Sequence, residues 1–151
     1  MASPDRASST VGRMNEAAGA VTFTWLGMVL AISFLEAPLK FRAPGVTIQV
    51  GLGIGRLVFR ALNRVECVLA AALLVLVAFG DAPARVIAWT AAATVPLVVQ
   101  LAVVRPRLNR RSDRVLAGED LPRSRGHLVY IAFEIAKVLA LVGLGVTLLA
   151  R

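Results

Sequence analysis

The residues of this chain that could take part in chemistry are gathered in its last apolar segment. His127, Tyr130, Glu134 and Lys137 follow one another at steps of three, four and three residues, which places them on one face of an α-helix. An ionisable side chain at bilayer depth is costly unless it is paired, wetted or turned toward other helices. These four residues are therefore candidates for a functional site.

Two interpretations of this face are open. In the first, His127 and Tyr130 belong to the aromatic belt at the membrane interface, and Glu134 and Lys137 are an ion pair that neutralises itself. In the second, the four residues belong to a polar cluster shared with other helices, because a helix that pairs its own charges still has unmatched hydrogen-bonding capacity in lipid. His127 is then the group that titrates near neutral pH.

The second apolar segment supplies candidate partners for this face. Arg60, Asn63 and Cys67 recur at steps of three and four residues, with Arg64 at their flank. Arginines in the entry turns of a membrane helix commonly extend to the headgroups. Glu66 lies deeper and off that stripe, so we expect it to face another helix.

Glu36 approaches from the first apolar segment at a similar depth, and Pro38 could bend that segment toward the other two. Gln100, in the third segment, adds one more polar group to the bundle. The candidate polar cluster has nine members: Glu36, Arg60, Asn63, Arg64, Glu66, His127, Tyr130, Glu134 and Lys137.

The composition indicates what must hold these residues. Of 151 residues, 58% are hydrophobic and 17% are charged, and the mean hydropathy of +0.75 argues against a soluble domain. A bilayer core about 30 Å thick takes roughly 20 helical residues to cross. Four stretches are long enough: 20–41, 57–79, 84–104 and 128–149. The sequence predicts an all-α integral membrane four-helix bundle, with residues 18–151 as one domain after a mobile tail of residues 1–17.

The region between the first two predicted helices contains a run of glycines. Residues 47–80 contain no proline, and as one straight helix they would be about 51 Å long, more than a bilayer needs. We expect a bend at Gly51, Gly53 and Gly55, with a short apolar piece at the interface or dipping into it. Gly51 and Gly55 also have the spacing that lets helices approach closely. The third helix should end at Val104-Arg105-Pro106.

The basic residues predict the orientation of the chain. There are 17 Lys and Arg against nine Asp and Glu, and twelve of the basic residues lie in or beside the first and third loops, against four near the termini and second loop. This bias predicts that both termini are extracytoplasmic. Fifteen Arg against two Lys suggest a high-GC bacterial genome, so we expect the membrane to be a bacterial inner membrane. We expect the bilayer, with anionic headgroups at the basic loops, to be the partner, whereas no nucleic-acid recognition motif is present.

The sequence gives no sign of an enzyme. It contains no HExxH, GxSxG or Walker motif and no Ser/His/Asp spacing, so we assign no catalytic residues and no cofactor. One His and one Cys are too few for a soft-metal site, and a lone cysteine forms no intrachain disulfide.

Several short motifs resemble a known family. They are Pro38-Leu-Lys-Phe41, Gly55-Arg-Leu-Val-Phe59 followed by Asn63 and Glu66, Arg105-Pro-Arg-Leu-Asn109, and His127 with Glu134 and Lys137. This pattern, over most of residues 20–149, resembles a family of small four-helix integral membrane proteins that includes transmembrane protein 205. The family has no established molecular activity. A eukaryotic member is associated with platinum-drug resistance, so the resemblance implies transport or trafficking.

Two function classes remain open. One is a transporter or channel-like protein whose inward carboxylates and basic residues line a path for protons or for a small charged or amphipathic solute. The other is a non-catalytic accessory or scaffolding subunit whose buried charges fix helix register. It would act as a homo-oligomer or as part of a larger membrane complex. The gathering of ionisable residues at one depth favours the first.

Overall fold

The protein is described here by a computed structural model, which covers the backbone of residues 4–119 and 126–150 and the side chains of residues 9–119, 126 and 128–150. Within those residues, four helices are long and apolar enough to cross a membrane: Ser9–Arg42, Ile48–Phe79, Ala84–Leu116 and Leu128–Leu149. We call them the first to fourth helix. The predicted all-α four-helix architecture is confirmed.

The first helix begins before the predicted span. It is α-helical over Pro4–Val29, π-helical over Leu30–Glu36, and ends in two short helical turns, Ala37–Leu39 and Lys40–Arg42. Much of the predicted tail is therefore helical. The mobility expected of that tail stays a prediction.

The second helix corrects the expected glycine bend. It runs without interruption over Ile48–Phe79, and the Thr47 hydroxyl caps it by accepting from the Val50 amide at 3.2 Å. The chain turns earlier, at Gly45, whose φ is +79°. A Cβ on Gly51 would lie 2.2 Å from the Phe41 ring. Gly51 therefore leaves room for the Phe41 ring. No bend is needed at the glycines, because the second helix can be longer than the bilayer core.

The third helix also differs from the expectation, because it does not end at Pro106. Its α-helical part, Ala84–Val99, passes into a π-helical stretch, Gln100–Val104, and then into a further α-helical stretch, Arg105–Leu116. A proline leaves the carbonyl four residues earlier without its amide partner. Pro38 and Pro106 each lie two residues beyond a π-helical stretch, where the wider turn accommodates that loss.

The bundle has an apolar core and an apolar outer surface. The fourth helix packs against the first and third helices, and the first packs against the second. Trp25, Leu73, Leu141 and Leu144 are fully buried at the centre. Large apolar side chains also cover the outside, as expected of helices that face lipid.

The second and third helices are longer than a bilayer core requires. With 32 and 33 residues, they would measure about 48 and 50 Å, against a core of about 30 Å. Since residues 43–47 join the first two helices, the end of the first, the start of the second, the end of the third and the start of the fourth meet at one end of the bundle. We call it the basic end, because Lys40, Arg56, Arg105 and Arg111 lie there.

Candidate functional site

A buried ion pair network joins the middle of the bundle. Lys137 Nζ, on the fourth helix, lies 2.5 Å from Glu66 Oε1 on the second helix and 3.0 Å from Glu134 Oε1 one turn before it. All three side chains are at most 1% exposed. Trp25 Nε1, on the first helix, donates to Glu66 Oε1 at 2.9 Å. The first, second and fourth helices thus meet at the Glu66 carboxylate.

The Glu134 carboxylate adds the third helix to this network. Gln100 Nε2 donates to Glu134 Oε1 at 2.8 Å, and Ser33 Oγ donates to Glu134 Oε2 at 3.0 Å. Ser33 and Gln100 both lie in the π-helical stretches. We call the six residues the buried ion cluster: Trp25, Ser33, Glu66, Gln100, Glu134 and Lys137.

The buried ion cluster is suited to holding helices in register. A buried charge is tolerated only when partners replace its lost hydration. Lys137 is one cation facing two carboxylates, and the neutral donors of Trp25, Gln100 and Ser33 add hydrogen bonds to those carboxylates. Each helix contributes at least one group. A slip of any helix would therefore leave a charged or polar group without its partner.

A cavity of about 650 Å³ lies between this cluster and the basic end. Its walls are mostly apolar, with Phe34, Phe41, Leu52, Phe59 and Ile131 among them. Nine side chains contribute the polar lining: Ser33, Lys40, Arg56, Arg105, Asn109, Arg111, Ser112, Tyr130 and Glu134. We call it the basic-end cavity. Since Glu134 belongs to both, the cavity reaches the edge of the buried ion cluster.

Arg105 lies against two aromatic rings in the wall of the basic-end cavity. Its Cζ atom is 5.5 Å from the centre of the Phe59 ring and 5.9 Å from that of Tyr130. The two rings meet edge to face at 5.4 Å. With the Asn63 amide oriented so that its oxygen faces the guanidinium, that oxygen accepts from Arg105 Nε at 2.6 Å and from Nη2 at 3.1 Å.

Two other cations of the cavity wall are paired. Lys40 Nζ lies 3.3 Å from Glu36 Oε2, one turn earlier on the same helix. Arg56 Nη1, on the second helix, lies 2.5 Å from Asp113 Oδ1 on the third. Within the described part of the chain, Arg105 has no carboxylate within 4.0 Å.

The structure brings only some of the predicted site residues together. Glu66, Glu134 and Lys137 meet in the buried ion cluster. Asn63 and Tyr130 are buried beside it, next to Arg105.

The other predicted residues lie elsewhere. Glu36 is half-buried and pairs with Lys40 away from the cluster. Arg60 and Arg64 are exposed and make no ion pair with the buried carboxylates; their long side chains reach the surface instead. The side chain of His127 lies outside the described residues.

Sequence reasoning missed three members of this region. Trp25 and Ser33 lie in an apolar stretch where nothing distinguishes them from lipid-facing or core residues. Arg105 was counted only as one of the basic loop residues, because the helix was expected to end there. The available signal was Pro106 directly after Arg105, since proline is tolerated in the first turn of a helical stretch.

Among the described residues, no group of three or more His, Cys, Asp or Glu side chains is arranged to hold a metal ion. Comparisons with protein-family models, with curated proteins and with solved structures find no match to this chain. The function is therefore argued from the geometry of the site.

Proposed function

We propose that this protein is a small multi-pass membrane transporter or channel-like protein for protons or for a small charged or amphipathic solute. The observation that carries the proposal is that the basic-end cavity is lined by Glu134, a carboxylate of the buried ion cluster. Ionisable groups within membrane helices that face a cavity commonly mark solute or proton pathways. The resemblance to the family that includes transmembrane protein 205 favours the same class of function. We propose that this chain is related to that family.

An accessory or scaffolding subunit is the second candidate, and a different observation favours it. Glu66 and Lys137 are fully buried and bonded to each other, and Glu66 does not line the basic-end cavity. A dry, paired cluster of this kind can fix helix register without taking part in transport. The two candidates differ in whether the purified protein acts alone.

The orientation is part of the proposal. We infer that the protein lies in a bacterial cytoplasmic membrane with the basic end in the cytoplasm, next to anionic headgroups, and both termini outside. Cysteines placed at Ser9 and Leu116, in a chain with Cys67 replaced by alanine, would test this in intact cells. A membrane-impermeant thiol reagent should label position 9 and leave position 116 unlabelled; the reverse pattern would reject the orientation.

Transport is tested with purified protein in liposomes. Uptake of protons, of radiolabelled octanesulfonate and of tetraethylammonium is compared with that of protein-free liposomes. We expect protein-dependent flux of protons or of one of these ions, and a severalfold change in that flux for Glu134→Gln while the variant remains folded. Thr147→Ala is the matched control, because the Thr147 hydroxyl bonds only to the Gly143 carbonyl of its own helix.

The same preparation decides between the two candidates. A mild-detergent pull-down is run beside the flux assay. Liposomes that are silent for all three ions, together with a stoichiometric membrane partner, would reject the transporter and support the accessory subunit.

A further inference from the structure

We propose that the basic-end cavity binds a single-chain anionic amphiphile, with its headgroup beside the Arg105 guanidinium and the Tyr130 hydroxyl and its alkyl chain along the apolar walls. This assignment rests on the proposed function and names the class of solute that it would act on. Three features of the described residues carry it: an unpaired cation, an unpartnered hydroxyl and the charge of the lining.

The unpaired cation is Arg105. It is half-buried, and no described carboxylate lies within 4.0 Å of it. Its contacts with two rings and with the Asn63 oxygen fix the plane of the guanidinium, and Glu134 and Glu66 act on its charge only from beyond 4.0 Å. A planar guanidinium offers five N–H donors and suits the oxygens of a carboxylate, sulfonate or phosphate. A preorganised arginine of this kind is a natural site for an anion.

The unpartnered hydroxyl is that of Tyr130. The side chain is 4% exposed; its Oη has no hydrogen-bond partner within 3.5 Å and in good geometry among the described residues, and Glu134, one turn further on, is the acid that acts on it most strongly. A buried hydroxyl without a partner is destabilising, so its presence in a cavity wall calls for an explanation. Tyr130 lines the same cavity as Arg105, and its ring contacts the guanidinium. An oxygen of a bound headgroup could accept from both.

The charge of the lining selects an anion over a cation. Lys40, Arg56, Arg105 and Arg111 line the cavity, against Glu134 as the lining carboxylate. Glu36 and Asp113 pair with two of these cations from outside the lining. Cations thus outnumber carboxylates in the lining, which favours an anionic headgroup.

The cavity's position and volume select an amphiphile with one chain. The second helix exceeds the bilayer core by about 18 Å, and the cavity is lined by its first turns, from Gly51 to Phe59. With the predicted span 57–79 in the bilayer core, these first turns lie at headgroup depth, where amphiphiles concentrate. A volume of about 650 Å³ lies in the range of small-molecule pockets, about 300–1,000 Å³, and suits one alkyl chain better than the two of a phospholipid.

The test uses the full protein in nanodiscs of zwitterionic lipid, with a photoactivatable decanesulfonate as the probe. After illumination, mass spectrometry locates the cross-linked residues. We expect labels on cavity-wall residues such as Phe34, Leu52 and Ile131. Excess decanesulfonate should remove these labels, and excess decyltrimethylammonium should not. Labels spread over lipid-facing residues such as Val68 and Leu139 would overturn the proposal.

Variants separate the site from general surface charge. Arg105→Gln should raise the half-saturating probe concentration about tenfold, as expected for loss of one charge-assisted hydrogen bond. Arg110→Gln removes the same charge from an exposed position on the same helix that does not line the cavity, and should leave binding unchanged. Arg105→Lys, which keeps the charge, should restore part of the affinity and guards against misfolding of the glutamine variant. Equal effects of the two glutamine variants would contradict the site.

Further arms identify the source of the anion and separate this inference from transport. Nanodiscs containing phosphatidylglycerol should leave cavity labelling intact; loss of labelling there would replace the single-chain ligand with a membrane lipid. Specific labelling of the cavity in nanodiscs, together with no flux of protons or octanesulfonate in liposomes, would support the binding site and reject transport. Proton flux without cavity labelling would keep transport and reject the anionic amphiphile.

Discussion

The buried ion cluster and the basic-end cavity share Glu134 but treat polar groups in opposite ways. In the cluster, the charged groups of Glu66, Glu134 and Lys137 are buried and bonded to one another. In the cavity wall, a guanidinium lacks an acid and the Tyr130 hydroxyl lacks any partner among the described residues.

This difference separates polar groups that stabilise the fold from polar groups that we propose bind a ligand. Polar groups inside a membrane protein are costly, so complete pairing indicates that the protein itself is their partner. Incomplete pairing in a cavity wall is the feature from which we propose a bound ligand. The comparison predicts that variants of the cluster change stability, whereas variants of the cavity wall change binding.

The largest expected effect is that of Lys137→Met. It leaves two buried carboxylates without their cation, and breaking a buried ion pair in this way costs about 3–5 kcal/mol in soluble proteins. Glu134→Gln should be much milder, because Lys137 keeps Glu66. The double variant should fall between them, since one buried carboxylate then remains unpaired. The order of stability of the three variants is measured by thermal unfolding and by the yield of monodisperse protein in detergent.

That order is what distinguishes a shared cluster from a simple pair. If the Glu134–Lys137 pair stood alone, removing both charges would restore stability close to that of the natural chain. If all three variants were as stable as the natural protein, the side chains of Glu134 and Lys137 would be reaching water or headgroups. The proposed difference between the buried ion cluster and the basic-end cavity would then be wrong.

An intermediate effect on stability is expected from Gly51→Ala, which changes the wall of the basic-end cavity. The added Cβ would meet the Phe41 ring at 2.2 Å, so the ring must move within the cavity wall, at a cost of about 1–3 kcal/mol. Gly53→Ala is the matched control, since nothing lies within 4 Å of its Cβ; it should be neutral or slightly stabilising. Both are measured by thermal unfolding and by probe binding. Equal behaviour of the two would mean that the glycines act through backbone freedom.

The smallest effect is expected at Thr90, whose hydroxyl is also buried without a partner among the described residues but does not line the basic-end cavity. Thr90→Val removes an unsatisfied group at nearly constant shape, so the free energy of unfolding should change by less than about 0.5 kcal/mol or rise. Probe binding should be unchanged. Tyr130→Phe should likewise keep stability but weaken probe binding severalfold. Loss of binding in the Thr90 variant would show that the two hydroxyls do not differ as proposed.

Hydrophobic length and helical periodicity were enough to predict the number of helices and the shared face of Glu134 and Lys137, because both follow from the repeat of a regular α-helix. The contacts of Ser33 and Gln100 could not be predicted in that way. Both residues lie in π-helical stretches, whose wider turns rotate the face on which a side chain lies.

The glycines and the basic residues show a second limit. Glycine permits either a bend or a close contact, and only the position of Phe41 shows that contact is the use of Gly51. Arginine spacing likewise does not distinguish Arg60 and Arg64, which extend to the surface, from Arg105, which packs between two rings. Those outcomes depend on the packing of helices that are distant in sequence.

The most direct test of the two-region account is the water accessibility of single cysteines in a chain with Cys67 replaced by alanine. Cysteine at Ala37, in the wall of the basic-end cavity, is compared with cysteine at Ala140, in the buried core. In detergent-solubilised, folded protein, a charged methanethiosulfonate should modify position 37 and leave position 140 unmodified, and decanesulfonate should slow the first reaction. Protection of both positions, or modification of both at similar rates, would contradict the account.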